Sequence, residues 1–398
     1  MRGIWMWAQN VIAYGAEKTL DSCRRAGITD VFFLTKGLAG TTAFRSAYAP
    51  WMCERDLLLE VLDAAHMRGI RVHAWFTSTC DEHYKQLHPE SGRCHYRRGR
   101  DRELISLCDA GYLAYQEQIV REVCSRYEID GLHLDYIRYN HLLYGWGEEE
   151  LARCRAEGAD EKHLRQLLER HFYGEAKEET LLFDAYREGD ESVRAFARAR
   201  RNDVIRFAGG LTQAAKDEKS HLTLSAALMP EGAYEDTAFA DLHYGQSYED
   251  AARIYDYAMP MAYSKAYEQD ACWVRRVAEG SIRKGNRTLI GLQAYGGGTG
   301  PSLQADANAV KDVPVEGICL FREGATAMAC AEGKEISIYN ALTEPLTSVS
   351  FLSGEESVMK TETICPGDEK RFSLPFEADV LRVFAGREER SVYLKQEE

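Results

Sequence analysis

The feature that most constrains this chain is an alternation that recurs along residues 1–325: a short apolar or β-branched run, a loop, then a segment of helical period. Strands separated by helices cannot pair as hairpins, so the pattern implies parallel strands with helical crossovers. Strands are expected at 3–7, 30–34, 71–76, 131–135, 222–228, 257–261, 289–293 and 317–321, with helices at 17–26, 55–67, 112–127, 192–216, 271–283 and 303–311. The 55–67 segment carries Leu58, Val61, Leu62 and Ala65 on one helical stripe. Gly27 and Gly69 follow the first two helices, where a left-handed cap residue is wanted. Eight units of this size match a (β/α)8 TIM barrel better than an open doubly wound sheet.

Two strand-to-helix connections are long, residues 77–108 and 140–191. The second contains charged segments of helical spacing at 148–156, 161–172 and 178–186. A structureless loop of that length is uncommon in a compact domain, so a helical insertion over the barrel mouth is expected, as a lid or an interface. After Phe321 the alternation stops. Ile336, Ile338, Tyr339, Val349, Phe351, Phe372, Leu374, Val380, Leu381, Val383, Val392 and Leu394 then supply apolar faces between turn signals at Gly354, Pro366-Gly367 and Pro375. A TIM-barrel unit over 1–330 and a small β-sandwich over 331–398 are therefore expected.

The formal net charge of −14 would repel a phosphate backbone, which argues against a nucleic-acid partner. Apolar runs such as 222–229 fall well short of the roughly 20 residues that a membrane helix requires. The start, Met-Arg-Gly-Ile-Trp-Met-Trp, lacks the long apolar segment of a signal peptide. Eleven scattered cysteines suit reduced, buried thiols better than a disulfide framework. These features predict a cytoplasmic protein without a membrane partner. A homodimer through the insertion is a further expectation.

The chemistry concentrates in Asp130-Gly-Leu-His-Leu-Asp-Tyr-Ile-Arg-Tyr139. Leu132 and Leu134 alternate with Gly131, His133 and Asp135, so the polar set points into the barrel and Asp135 stands at its mouth. A buried carboxylate there is costly unless it is paired or put to use. After the fifth strand, Met229-Pro-Glu-Gly232 brings Glu231 to the neighbouring strand end. Two carboxylates on adjacent strands are the minimum machinery of glycoside hydrolysis: one protonates the leaving oxygen, the other attacks the anomeric carbon or activates water. Asp135 takes the nucleophile or base role and Glu231 the acid role, with Glu323 as a second choice for the acid.

Aromatic residues at the same rim, Trp5, Trp7, Trp75, Tyr136, Tyr139, Tyr263 and Tyr295, offer planes for the C–H faces of sugars. Trp5 and Trp7 share a face, so one or both could instead fill the barrel. Lys36, His73, His133, Arg138 and Gln293 are further substrate-binding candidates. Carboxylate chemistry of this kind needs no cofactor or metal, and none is expected. Cys80, His83, His88, Cys94 and His95 have soft ligands but no usual zinc spacing. The basic run 95–102 and Gly296-Gly-Gly-Thr-Gly300 leave open a lyase or isomerase of a phosphorylated or acidic sugar. A non-catalytic carbohydrate-binding barrel is the other alternative to a hydrolase of oligosaccharides.

The run His88-Pro-Glu-Ser, Leu107-Cys-Asp109, the helix at 112–127 and the strand ending in Asp135-Tyr-Ile-Arg-Tyr139 resembles the bacterial glycosyl-hydrolase-like family 10 barrels. Met259-Pro-Met-Ala-Tyr263 and Gly291-Leu-Gln-Ala-Tyr295 are similar to that family's sixth and seventh strands. The resemblance covers most of residues 1–325 and implies a TIM barrel acting on a carbohydrate, with Asp135 as the matching acid. The fourth strand is also similar to the chitinase pattern D-G-x-D-x-D-x-E. His133 replaces its middle Asp, however, and Ile137 stands at its catalytic Glu, so a chitinase-type mechanism is not implied. Asn140 replaces the family's Pro, and the insertion behind it points to a different substrate.

Overall fold

The computed structural model describes residues 1–175 and 178–395, with only the backbone of residues 102 and 103. Eight parallel strands close into a barrel: β1 (Arg2–Met6), β2 (Asp30–Lys36), β3 (Arg71–Thr77), β4 (Gly131–Asp135), β5 (Thr223–Leu228), β6 (Tyr257–Ala262), β7 (Leu289–Gln293) and β8 (Gly317–Phe321). β1 pairs with both β2 and β8, placing Trp5 opposite Phe32 and Phe321. Each strand lies within two residues of its expected bounds.

Outward-facing Ile4, Val31, Val72, Leu132 and Leu134 pack with helix residues such as Leu58, Leu62 and Val123 in one continuous core. The inward-facing set is smaller and aromatic, with Trp5, Phe32 and Trp75 filling the barrel beside Met259, Leu289 and Cys319. Alternation thus separates two cores of different chemistry within single strands. Several connections end in an acidic cap: Asp56, Asp109 and Asp270 accept hydrogen bonds from the amides of Leu59, Tyr112 and Trp273. Gly27 and Gly69 adopt φ of 74° and 69°, as the helix stops require.

The connection after β4 is helical, with Glu148–Ala156, Glu161–Tyr173 and Leu181–Glu188 leading into the long helix Glu191–Glu218. Leu151, Leu164, Leu168, Leu182 and Phe196 give this insertion its own core. It is tied to the barrel through Tyr139, whose ring centre is 5.0 Å from the Arg93 guanidinium and 3.9 Å from that of Arg200. The Tyr139 hydroxyl donates to Asp203 at 3.0 Å. Elements absent from the expectation include the hairpin Gly92–His95 with Gly99–Ile105, and the short helices Ala8–Tyr14, Glu82–Leu87, Ala238–His243 and Tyr248–Ile254.

Beyond β8, two four-stranded sheets enclose a third core containing Ile336, Ile338, Val349, Phe351, Phe372, Leu381 and Val383. Its first strand, Ala327–Glu332, starts before the expected boundary. The strand Glu356–Ile364 is mostly exposed and shows no apolar face in the sequence. Among the described residues no helix is long and apolar enough to cross a membrane.

Candidate active site

The C-terminal end of β4 delivers Asp135 to the barrel mouth, where it is 6% exposed. One carboxylate oxygen accepts the amide N–H of Tyr136 at 2.7 Å. Tyr136 itself has φ of 54°, a left-handed conformation that an aromatic residue adopts at a cost of about 1–3 kcal/mol. The Thr79 hydroxyl secures this turn by donating to the Tyr136 carbonyl. Burial pushes the Asp135 carboxyl up, while Arg138 and the Tyr136 amide oppose the rise. The Trp75 indole N–H also favours the charged form, without closing a full hydrogen bond.

Glu231 lies on the single helical turn Pro230–Ala233 that follows β5. Its two oxygens face the hydroxyls of Tyr244 and Tyr267 at 3.3 and 3.4 Å. Burial raises its carboxyl as well, and Arg138 again favours the ion. Arg138 therefore acts on both acids, from a position over the rings of Tyr136 and Tyr244 at 5.1 and 5.9 Å. Its Nε is buried without a hydrogen-bond partner. Tyr244 and Tyr267 escaped the sequence reading because no local spacing links them to Glu231; their loops converge only in the closed barrel.

The rim includes Tyr263, whose phenol is raised by burial and next by nearby Asp135. Its ring meets Tyr295 at 5.7 Å and Phe321 at 5.6 Å. Trp75 joins this group through Phe321 at 6.2 Å. Trp7, at the end of β1, lies under the Arg322 guanidinium at 3.5 Å. Asp135, Glu231, Trp75, Tyr136, Arg138, Tyr263 and Tyr295 are thus brought together, with Trp7 at the edge.

Other candidates are committed elsewhere. Trp5 donates to His133 Nε2 at 3.0 Å, so the imidazole proton sits on Nδ1, which faces Ser225 at 2.9 Å. His133 is therefore a neutral, paired group inside the barrel, and burial holds its pKa well below the usual range. His73 lies one layer lower, stacked on Phe32 at 4.5 Å and bonded to Asp30 at 3.0 Å. Lys36 forms a buried ion pair with Asp81 at 2.7 Å, a contact not aligned as a hydrogen bond. Tyr139 anchors the insertion. Gln293 holds the rim loops, accepting from the Ala266 amide at 2.9 Å and donating to the Gly296 carbonyl at 2.8 Å. Glu323 is 2% exposed and accepts from Asn10 at 2.7 Å. Asn10 also donates to Ala341, so this carboxyl faces the C-terminal sheets rather than Asp135.

Among the described residues, no three metal-type side chains converge. In the basic run, Arg97 pairs with Glu169 and stacks on Tyr173 at 3.5 Å, while Arg100 donates to the Gly92 carbonyl at 2.9 Å. The Arg102 side chain lies outside the described residues. A hollow of about 430 Å³, lined by Met1, Thr29, Leu303, Gly317 and Tyr393, sits under the N-terminal end of the barrel, away from the acids.

Fold and site together define a TIM barrel with two desolvated carboxyls at the C-terminal ends of neighbouring strands. One stretch is 32% identical over 146 residues to glycosyl hydrolase DigH of Escherichia coli K12, covering 29% of this chain and 32% of that protein. The glycosyl hydrolase DigH of Shigella flexneri matches equally. The chain thus spans about a third of the length of the curated relatives it matches. Its fold resembles the glycoside hydrolase domain of PgaB (BpsB) from Bordetella bronchiseptica, with TM-score 0.64 and 12% identity over 81% of this chain and 94% of that one. The catalytic domain of β-amylase from Paenibacillus polymyxa gives TM-score 0.59 and 11% identity over 81% and 92%. No protein-family model matches the chain.

Proposed function

We propose that the protein is a glycoside hydrolase acting on oligosaccharides, with Asp135 as nucleophile or base and Glu231 as general acid. The carrying observation is the pair of buried carboxyls on adjacent strand ends, both sensed by Arg138 and both bordered by aromatic rings. Asp135 has the Tyr136 amide, the Trp75 indole and Arg138 to support a negative charge. Such support suits the group that faces a developing oxocarbenium ion or polarises water. Glu231 is held by two phenols and raised by burial, which suits a proton donor to the glycosidic oxygen. The partial identity to DigH supports the same activity class.

Membership of the bacterial glycosyl-hydrolase-like family 10 is the finer reading, supported by the fourth-strand motif and the His88-Pro loop. The same reading takes 1–330 as the catalytic unit, with its insertion at 140–191, and 331–398 as a separate β-domain. That none of the cysteines forms a disulfide among the described residues supports a reducing, cytoplasmic setting. The decisive experiment compares wild type with Asp135→Asn on a panel of α- and β-linked oligosaccharides and aryl glycosides. Turnover that disappears in the folded variant supports the proposal; absence of turnover on every glycan overturns it.

A further inference from the structure

We propose that the helix after β5 and the insertion together form glycan subsites on the leaving-group side of the cleavage point, with Phe239 as their open platform. This inference rests on the glycosidase reading and on Glu231 as its acid. The Tyr244 hydroxyl donates to Glu231, so the Tyr244 ring adjoins the group that would protonate the departing sugar. From there the rings continue outward. Phe239 meets Tyr244 edge-on at 5.8 Å between centroids, then stacks on His243 at 4.1 Å and on Phe183 of the insertion at 5.6 Å.

Packing alone does not account for this arrangement. On the helix Ala238–His243, Ala238, Ala240 and Leu242 are buried, whereas Phe239 remains 39% exposed. An aromatic ring left open beside a polar site, and braced from behind by parallel rings, is a surface on which the C–H face of a pyranose can stack. The insertion is bonded to this helix and its approach as well. Arg187 of the insertion binds Asp236 through two nitrogens at 2.9 and 2.7 Å, and the Tyr186 hydroxyl donates to Asp241 at 2.8 Å. A platform held in this way binds without the cost of ordering a loop. Because it begins at the acid, it contacts the part of the chain that leaves, and longer glycans gain from it while short ones do not.

The test measures kcat/KM for cello-, malto- and chito-hexaose and for matched aryl glycosides, using wild type, Phe239→Ala and Phe239→Tyr. On the hexaose that wild type cleaves, Phe239→Ala is expected to lose about tenfold, roughly the worth of one sugar–ring contact, with the aryl glycoside unchanged and Phe239→Tyr close to wild type. An unchanged hexaose rate, or equal losses on both substrates, overturns the proposal. Calorimetric binding of the same hexaoses to Asp135→Asn, with and without Phe239→Ala, separates the two readings. Hexaose binding that depends on Phe239 without any wild-type hydrolysis supports the subsite and removes the hydrolase. Hydrolysis with Phe239-independent binding removes the subsite alone.

Discussion

Two buried aspartates at opposite ends of the barrel have opposite electrostatics. Asp30, fully buried at the N-terminal end of β2, accepts from Thr29 at 2.6 Å and meets His73 at 3.0 Å and Arg71 at 2.8 Å. Burial alone would raise its carboxyl, but the His73 and Thr29 hydrogen bonds, with the nearby charges, outweigh that and hold it below the usual range. Asp135 is buried almost as deeply but has one strong hydrogen bond, and burial wins. Asp30 is an ion fully answered by its surroundings, and its role is structural. Asp135 is partly unanswered, as the proposed catalytic role requires of it.

Substitutions at the two positions should therefore separate activity from stability. Asp135→Asn is expected to lower kcat about 10⁴-fold or more on any glycan the wild type cleaves, with the melting temperature unchanged or higher because a desolvated charge has gone. A large loss of melting temperature would make Asp135 another Asp30. Glu231→Gln should cost about 10²–10⁴-fold on natural glycans, since a general acid contributes on that scale. The loss should shrink on aryl glycosides with acidic phenols, which depart without a proton. An equal loss across leaving groups would take the acid role from Glu231.

Asp30→Ala should do the reverse. It strands His73 and frees Arg71, and an expected loss of about 3–5 kcal/mol on urea unfolding follows from breaking a buried pair. The residual activity of the folded fraction should stay near wild type. Its pH dependence has a definite sign. Because the folded Asp30 carboxyl lies below its ordinary value, its contribution is present at neutral pH and is lost as pH falls through the folded value. Stability of Asp30→Ala should accordingly change less on acidification than that of wild type.

Much of this organisation was legible in the sequence, for reasons that also explain the gaps. Barrel strands are buried, largely apolar runs of five to seven residues, and their long helices carry full periods, so both patterns stand out. Helices of six or seven residues, such as Ala238–His243, complete too few turns to show a stripe. Alternation revealed that His133 and Asp135 point inward, but not their depth, and depth separates the paired histidine from the aspartate at the mouth. Lys36 and Glu323 sit where strands end and period two no longer applies, so their directions are set by tertiary contacts. Asn10, Tyr244 and Tyr267 act on carboxylates from other connections and leave no local trace.

Glu323 offers the smallest and most specific test, because it joins features of both aspartates: buried and bonded like Asp30, raised like Asp135. Burial between the barrel and the C-terminal sheets lifts its carboxyl from 4.5 to about 7, against the opposing pull of Asn10 and Arg322. A carboxyl raised in the folded state holds its proton longer there than in the unfolded chain. Stability should therefore fall as pH rises from 4.5 to about 7 and level off above. Glu323→Gln retains an oxygen for the Asn10 amide and removes the charge. At pH 8 the variant should be more stable than wild type by up to about 3 kcal/mol, and at pH 4.5 nearly equal to it. Urea unfolding at the two pH values reads this directly. A variant that is less stable at pH 8 would mean that the Glu323 anion is paired as well as Asp30 is, and the contrast between answered and unanswered carboxyls would then be confined to the mouth of the barrel.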